Sequence, residues 1–174
     1  PAAQWVIDGE GIATRKFDGT SCFIDARGRL FRRYDAKRGK TPPTTFIPAQ
    51  APDPETGHWP GWIPVGSNPQ DQYHREAYEN SLAGLRGTNR RLPTGTYEAV
   101  GPKFQGNPDN FTTHLLVPHG DVKYPHCPRD FYGLKDFIED MNIEGIVWHR
   151  YPNRGTINQE FIKIKGSDFG LKRR

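Results

Sequence analysis

The sequence predicts an α+β fold built on antiparallel sheets, and three observations lead there. Strand-like runs outnumber helical periods. They arrive as hairpins rather than as strand–helix–strand units. Sixteen prolines and nineteen glycines in 174 residues imply many turns and few long elements. Hydrophobic residues make up only 34% of the chain, so the aromatics, at 12%, carry much of the core area.

The elements follow in order. Gly19 to Asp35 reads as a β-hairpin, with Cys22-Phe23-Ile24 as one strand, Arg27-Gly28 as the turn and Leu30 to Tyr34 as the return strand. Gly28 supplies the positive φ of the turn. Residues 38–69 are rich in proline, glycine and threonine and read as a long irregular loop pinned by Trp59 and Trp62. Its length points to a functional element such as a lid or a contact surface. Residues 70–86 have helical spacing at Tyr73, Ala77, Tyr78, Leu82 and Leu85, with Gly87 as the cap. Gly95 to Val100 is a strand broken by Gly101-Pro102, and His114 to Val117 is another ended by Pro118. Asp130 to Met141 is a second helix, with Asp130 as N-cap, Phe131, Leu134, Phe137 and Ile138 on one face, and Asn142 at its end. Ile143 to His149 and Glu160 to Lys165 are the closing strands. There is no internal repeat, and a single domain over 1–174 is expected.

Net charge is +4 and the isoelectric point is near 9.1, a balance that suits a polyanionic partner without requiring one. Cys22 and Cys127 are the only cysteines, and no Cys-x-x-Cys is present, so neither a zinc nor a redox motif can be read. The histidines form no metal constellation: His114 and His119 are five apart, and His126 adjoins Cys127. No apolar run approaches the length of a membrane span, and a soluble intracellular protein is expected.

The chemistry concentrates in a few charged positions. Lys16-Phe17-Asp18-Gly19 sets a lysine beside Asp-Gly. A lysine amine becomes a nucleophile when it is desolvated or crowded by cations, and Lys163, Lys165 and Arg33 are candidates for that crowding. Lys163 and Lys165 alternate on a strand and share a face, as a phosphate clamp requires, while Ile162 and Ile164 point to a core. Glu98 and Glu144 are the acidic counterparts, suited to a magnesium ion or a ribose hydroxyl. Taken singly, each of these has an ordinary surface explanation.

In this order, Lys16 to Gly19, Tyr97-Glu98, Glu144-Gly145-Ile146-Val147 and Lys163-Ile164-Lys165 resemble the motifs of the covalent nucleotidyltransferases: ATP-dependent RNA and DNA ligases and mRNA capping enzymes. Three segments look most like small 5′-3′ RNA ligases, a group with vertebrate members. They are Lys16 to Cys22, Tyr97 to Gly101 with Gly106-Asn107-Pro108, and Glu144 to His149. His114 to Gly120 also looks typical of that group.

The resemblance implies a nucleotidyltransferase (ATP-grasp-like) fold, with the nucleotide between antiparallel sheets and few flanking helices. It implies an ATP-dependent RNA ligase in RNA repair. Lys16 would carry AMP, Arg33 and Lys37 would touch ribose or phosphates, and Glu98 would bind the ribose side. Val147 would pack on adenine, Lys163 and Lys165 would grip the α-phosphate, and Glu144 would help hold Mg2+ or Mn2+. The partner would be RNA with 5′-phosphate and 3′-hydroxyl ends, and Arg86, Arg90, Arg91, Lys172 and Arg173 would hold the RNA backbone. A monomer is expected, although the sequence does not fix the oligomeric state. Two departures stand out. His149 occupies a position where many ligases have lysine, and the adenine-stacking aromatic is not obvious, with His114 as a replacement. The family's DNA ligases and capping enzymes carry a further oligonucleotide-binding domain, for which no residues remain here. The other readings are a DNA nick ligase, a GTP-using capping-type enzyme, or an inactive nucleic-acid-binding module on the same fold.

Overall fold

A computed structural model describes residues 3–85, 87, 90–150 and 160–173. The chain is α+β with antiparallel sheets and few helices, and it divides into two compact units. One holds residues 1–17 and 119–174, the other residues 18–118. Among the described residues no helix is long and apolar enough to cross a membrane.

The first unit is a three-stranded sheet of β1 (Ile12–Lys16), β8 (Gly145–His149) and β9 (Phe161–Lys165), in the order β1-β8-β9. Strand alternation gives it two unlike faces. Ala13, Ile146 and Trp148 are buried on one face, where Ile162 and Ile164 also pack, together with Leu134 and Ile138 of α3 (Phe131–Asp140). Ile162 and Ile164 thus turn inward as expected. Asp130 caps α3 by accepting from Gly133 N–H at 2.8 Å, and Asn142 ends the turn at φ 48°. Phe131 departs from the expected core face. It is 60% exposed and rests against Phe169 and Tyr132.

Strand β1 follows the short helix α1 (Gln4–Ile7), and neither has an apolar period long enough to be read from sequence. Side chains from elsewhere in the unit hold this segment. The Arg129 guanidinium lies 4.5 Å from the centre of the Trp148 ring and donates to the carbonyls of Val6, Glu10 and Gly11. Arg150 pairs with Glu10 at 2.8 Å and Glu160 at 2.9 Å.

The second unit is a six-stranded sheet, ordered β4-β5-β3-β2-β6-β7. Its strands are β2 (Thr20–Ile24), β3 (Leu30–Ala36), β4 (Ile47–Pro48), β5 (Trp59–Pro64), β6 (Gly95–Val100) and β7 (Leu115–Pro118). The β2–β3 hairpin and β6 stand where the sequence puts them, and Gly28 has φ 77° in the hairpin turn. The stretch 38–69 differs from its reading as irregular loop. It supplies β4 and β5, and β5 pairs with β3 along its whole length. Trp62 packs near Phe23, with ring centroids 5.9 Å apart.

Helix α2 (Gln72–Ala83) ends on Gly84, earlier than the expected Gly87. Its Ala77 is buried, with Tyr73, Tyr78 and Leu82 against Cys22, Ile24, Tyr97 and Leu116. A buried ion pair secures its start. Asp71 accepts from Arg32 Nε at 2.7 Å and from Gly66 N–H at 2.8 Å, so the carboxylate is satisfied on both oxygens. Cys22 and Cys127 are both free and buried, and burial pushes both thiols up, Cys127 to about 11.

His74 on α2 has both ring nitrogens buried and lies edge-on to Phe104, with centroids 5.1 Å apart. Burial, with a smaller push from Arg32, lowers its pKa below the ordinary 6.5. The unfolded chain therefore takes up a proton before the native one does, and stability present above pH 6.5 is lost as pH falls. Urea unfolding at about pH 7.5 and about pH 5.5 should show this loss, and His74→Phe should shrink it. An equal loss in the variant would assign the effect to other groups.

Candidate active site

Within the first unit, the register of three strands gathers the predicted residues. Lys16 pairs with Gly145, which pairs with Lys165. One row along, Thr14 pairs with Val147, which pairs with Lys163. Residues directly opposite across antiparallel strands share a face. Lys16, Lys163, Lys165 and Val147 therefore stand together on the face away from the apolar core. Gly145 has no side chain to separate Lys16 from Lys165. A Cβ there would collide with the Ile164 carbonyl and come within 2.8 Å of Lys165 Cα.

Glu144 sits just before β8, where the chain has not yet settled into alternation. Its Oε2 lies 2.5 Å from Lys16 Nζ, and both side chains are largely shielded, at 18% and 22% exposure. The group against Lys16 is thus a carboxylate, whereas the sequence reading looked to cations. The Glu144 carbonyl accepts from Gly166 N–H at 2.9 Å, which ties this corner to the chain leaving β9.

The motif Lys16 to Gly19 is divided between the units: Asp18 and Gly19 open the second. There Glu98, buried on β6, accepts from Gly19 N–H at 3.1 Å and from Ser21 Oγ at 3.3 Å. Gly19 is required by close approach, since a Cβ would run into the Ala99 carbonyl and sit 3.1 Å from Glu98 Cγ. Arg33 lies one residue beyond the last β2–β3 pair, so Arg33, Ser21 and Glu98 fall in a row across the sheet. The Arg33 guanidinium pairs with Asp35 at 2.9 Å. Lys37 is not brought to this row. It follows the end of β3 and lines a separate cavity beside Trp59.

His114 is structural in its contacts. Its ring lies between Tyr73 and Phe104, with centroids 5.0 and 5.6 Å away. Lys103 N–H donates to Nε2 at 3.1 Å, which leaves the proton on Nδ1 to donate to Glu76 at 2.9 Å. A ring only 5% exposed, against two other aromatics and bonded at both nitrogens, leaves little surface on which a base could stack.

One residue absent from the sequence reading belongs with the motif. Asp109 Oδ2 accepts from Asp18 N–H at 2.9 Å. Asp109 is carried by a tight loop in which Gln105, Asn107 and Asn110 all take positive φ, with Asn107 bonded to both N–H and C=O of Phe111. The Asn- and Gly-rich turn after β6 is the signal that could have located it. Of the basic residues expected on RNA, Arg91 donates to the Ala26 carbonyl and Arg173 to the Asn142 carbonyl, while Arg86 lies outside the described residues.

No protein-family model matches the chain. It is similar to curated proteins named RNA ligase 1: 28% identical to that of Pongo abelii and 25% to that of Rattus norvegicus, each over 79% of this chain and 62% of the relative. It is 30% identical to RNA ligase 1 of Danio rerio over 68% of this chain and 42% of the relative. The chain therefore spans less than two thirds of these relatives' length. The resemblance read from the motifs extends, at distant identity, along most of the chain.

Asp109→Ala leaves the Asp18 N–H without its carboxylate and should lower stability by about 1–3 kcal/mol. Hydrogen exchange at the Asp18 amide should speed up by roughly the tenfold that 1.4 kcal/mol represents. Unchanged protection would show that the contact does not hold the motif.

Proposed function

We propose that the chain is the catalytic core of an ATP-dependent RNA ligase working through a covalent lysyl-adenylate. The observation that supports this most is the cluster on one sheet face, Lys16 against Glu144 with Lys163 and Lys165 in register beside it. The similarity to proteins named RNA ligase 1 directs it toward RNA.

In this reading Lys16 Nζ, having given up its proton, attacks the α-phosphorus of ATP. An N–P bond forms as the bond to pyrophosphate breaks. The RNA 5′-phosphate then attacks the same phosphorus, and Lys16 departs and regains a proton. Finally an RNA 3′-hydroxyl attacks the activated 5′-phosphorus, its proton is lost to solvent, and AMP leaves. Beyond the lysine, the protein's work is alignment and charge neutralisation. Lys163 and Lys165 offer ammonium donors to the α-phosphate oxygens, and Val147 offers an apolar wall to adenine. For the six-stranded unit we propose that Glu98 accepts from a ribose hydroxyl and that Arg33, in the same row, touches ribose or phosphates, whereas Lys37 stands apart from that row.

Glu144 is the residue that would hold Mg2+ or Mn2+. Among the described residues no three His, Cys, Asp or Glu side chains gather round one point. That donor set does not fit a metal caged by protein. It fits magnesium, which commonly takes one carboxylate together with water and substrate phosphates. When bound, the ion would neutralise phosphate charge. Lys16 has to leave its ion pair with Glu144 before its amine can attack.

The steps separate experimentally. Lys16→Ala should fail to seal RNA bearing a 5′-phosphate in the presence of ATP, yet retain sealing of a chemically prepared 5′-adenylylated RNA, because only the first requires the lysine nucleophile. Equal loss on both substrates would give Lys16 a structural part instead.

A further inference from the structure

The turn after β3 and the turn before β5 border an open cavity of about 380 Å3 in the second unit, lined in part by Lys37, Arg38, Lys40, Pro52, Gly57 and Trp59. That volume is in the lower range of ligand sites, roughly 300–1,000 Å3. Three of the lining residues are cations and none is a carboxylate. Asp53, close in sequence, is not among the lining residues, and its Oδ1 accepts from Glu55 and Thr56 N–H at 2.9 and 2.7 Å. Asp35 is held by Arg33 and His58.

The walls are built in place. Trp59 Nε1 donates to the Gln50 carbonyl at 2.9 Å, and its ring meets Phe46 edge-on with centroids 5.1 Å apart. Phe46 in turn packs on Tyr34. The indole is therefore fixed before anything binds. Gly57 leaves room for the Arg38 stem, because a Cβ there would lie 2.9 Å from both Cγ and Cδ of Arg38. Arg38 Nη1 reaches only the Glu55 carbonyl, at 3.4 Å, a contact that leaves the cation's charge uncompensated.

We infer that this cavity binds one phosphate-bearing nucleotide of a single RNA strand, with the phosphodiester on Lys37, Arg38 and Lys40 and the base against Trp59. The inference rests on the ligase reading above for its choice of RNA. Cations beside a fixed aromatic ring are the recurring means of holding unpaired strands. A base must be unstacked to meet that ring, which selects a single strand over a duplex. The same phosphate chemistry could come from ATP. Two features favour the strand: no carboxylate lines the cavity to receive the metal that accompanies a triphosphate, and a phosphodiester needs only cations.

The test compares the chain with Arg38→Ala/Lys40→Ala, both exposed positions, using a fluorescent single-stranded RNA and, separately, self-labelling by ATP. The variant should bind RNA on the order of tenfold more weakly, and the slope of log affinity against log salt should flatten by roughly 1.4, the value for two phosphate contacts on a single strand. Self-labelling, and its dependence on ATP concentration, should be unchanged. RNA affinity and slope equal to the parent's would overturn the proposal. A raised ATP requirement with unchanged RNA binding would assign the cavity to the triphosphate and overturn it as well. Absence of self-labelling in the parent chain would instead count against the ligase reading, while the RNA-binding comparison would still decide the cavity.

Discussion

A lysine ammonium and a glutamate carboxylate 2.5 Å apart are the contact to which the rest of the first unit is fitted. Neither group can be held there cheaply. Each has to be partly desolvated, and a long side chain has to be ordered. The cost is offset by the apolar side of the same three strands, where Ile146, Trp148, Ile138 and Leu134 exclude water and fix the register. A slip of one residue in β1 against β8 would turn Lys16 into the core and Ala13 out of it. The packing that stabilises the unit is therefore also what specifies which lysine meets which carboxylate. Arg129 and Arg150, bonded to the start of the chain, keep β1 from slipping at its other end.

The second unit applies the same economy to a different pair. Glu98 is buried on β6 and accepts from a backbone amide and a hydroxyl. That arrangement needs Gly19 to have no side chain and needs Asp18 to be held. The strained loop carrying Asp109 holds it. The motif that begins at Lys16 thus continues into backbone whose Asp18 and Gly19 amides are both directed at carboxylates. Substitution of a single glycine or aspartate there would disturb it without touching the lysine.

Much of this was legible in sequence where side-chain pattern and backbone preference agree. The hairpin turn at Gly28, the Asp130 cap and the alternation of Lys163 with Ile164 are of that kind. Strand β1 was not legible, because Ile12-Ala13-Thr14-Arg15-Lys16 has no sustained alternation and is stabilised by partners more than a hundred residues away. Strand β5 was hidden by its own composition, since Trp-Pro-Gly-Trp-Ile-Pro reads as a turn. It lies next to the sheet's edge, covered only by the two residues of β4, where proline is tolerated. Gly61 is there because a Cβ would strike Phe46 and the Ile47 carbonyl. Lys16 and Glu144 were each visible as motif residues. Their ion pair was not, because it depends on a register across 128 positions.

The central claim is that Lys16 becomes covalently joined to AMP. The direct measurement is to incubate AMP-free protein with α-labelled ATP and magnesium, beside Lys16→Ala, then denature and look for label on the chain. The account predicts label that needs Lys16 and is stronger from ATP than from GTP. Label undiminished in the variant, or none on the parent chain, would contradict it.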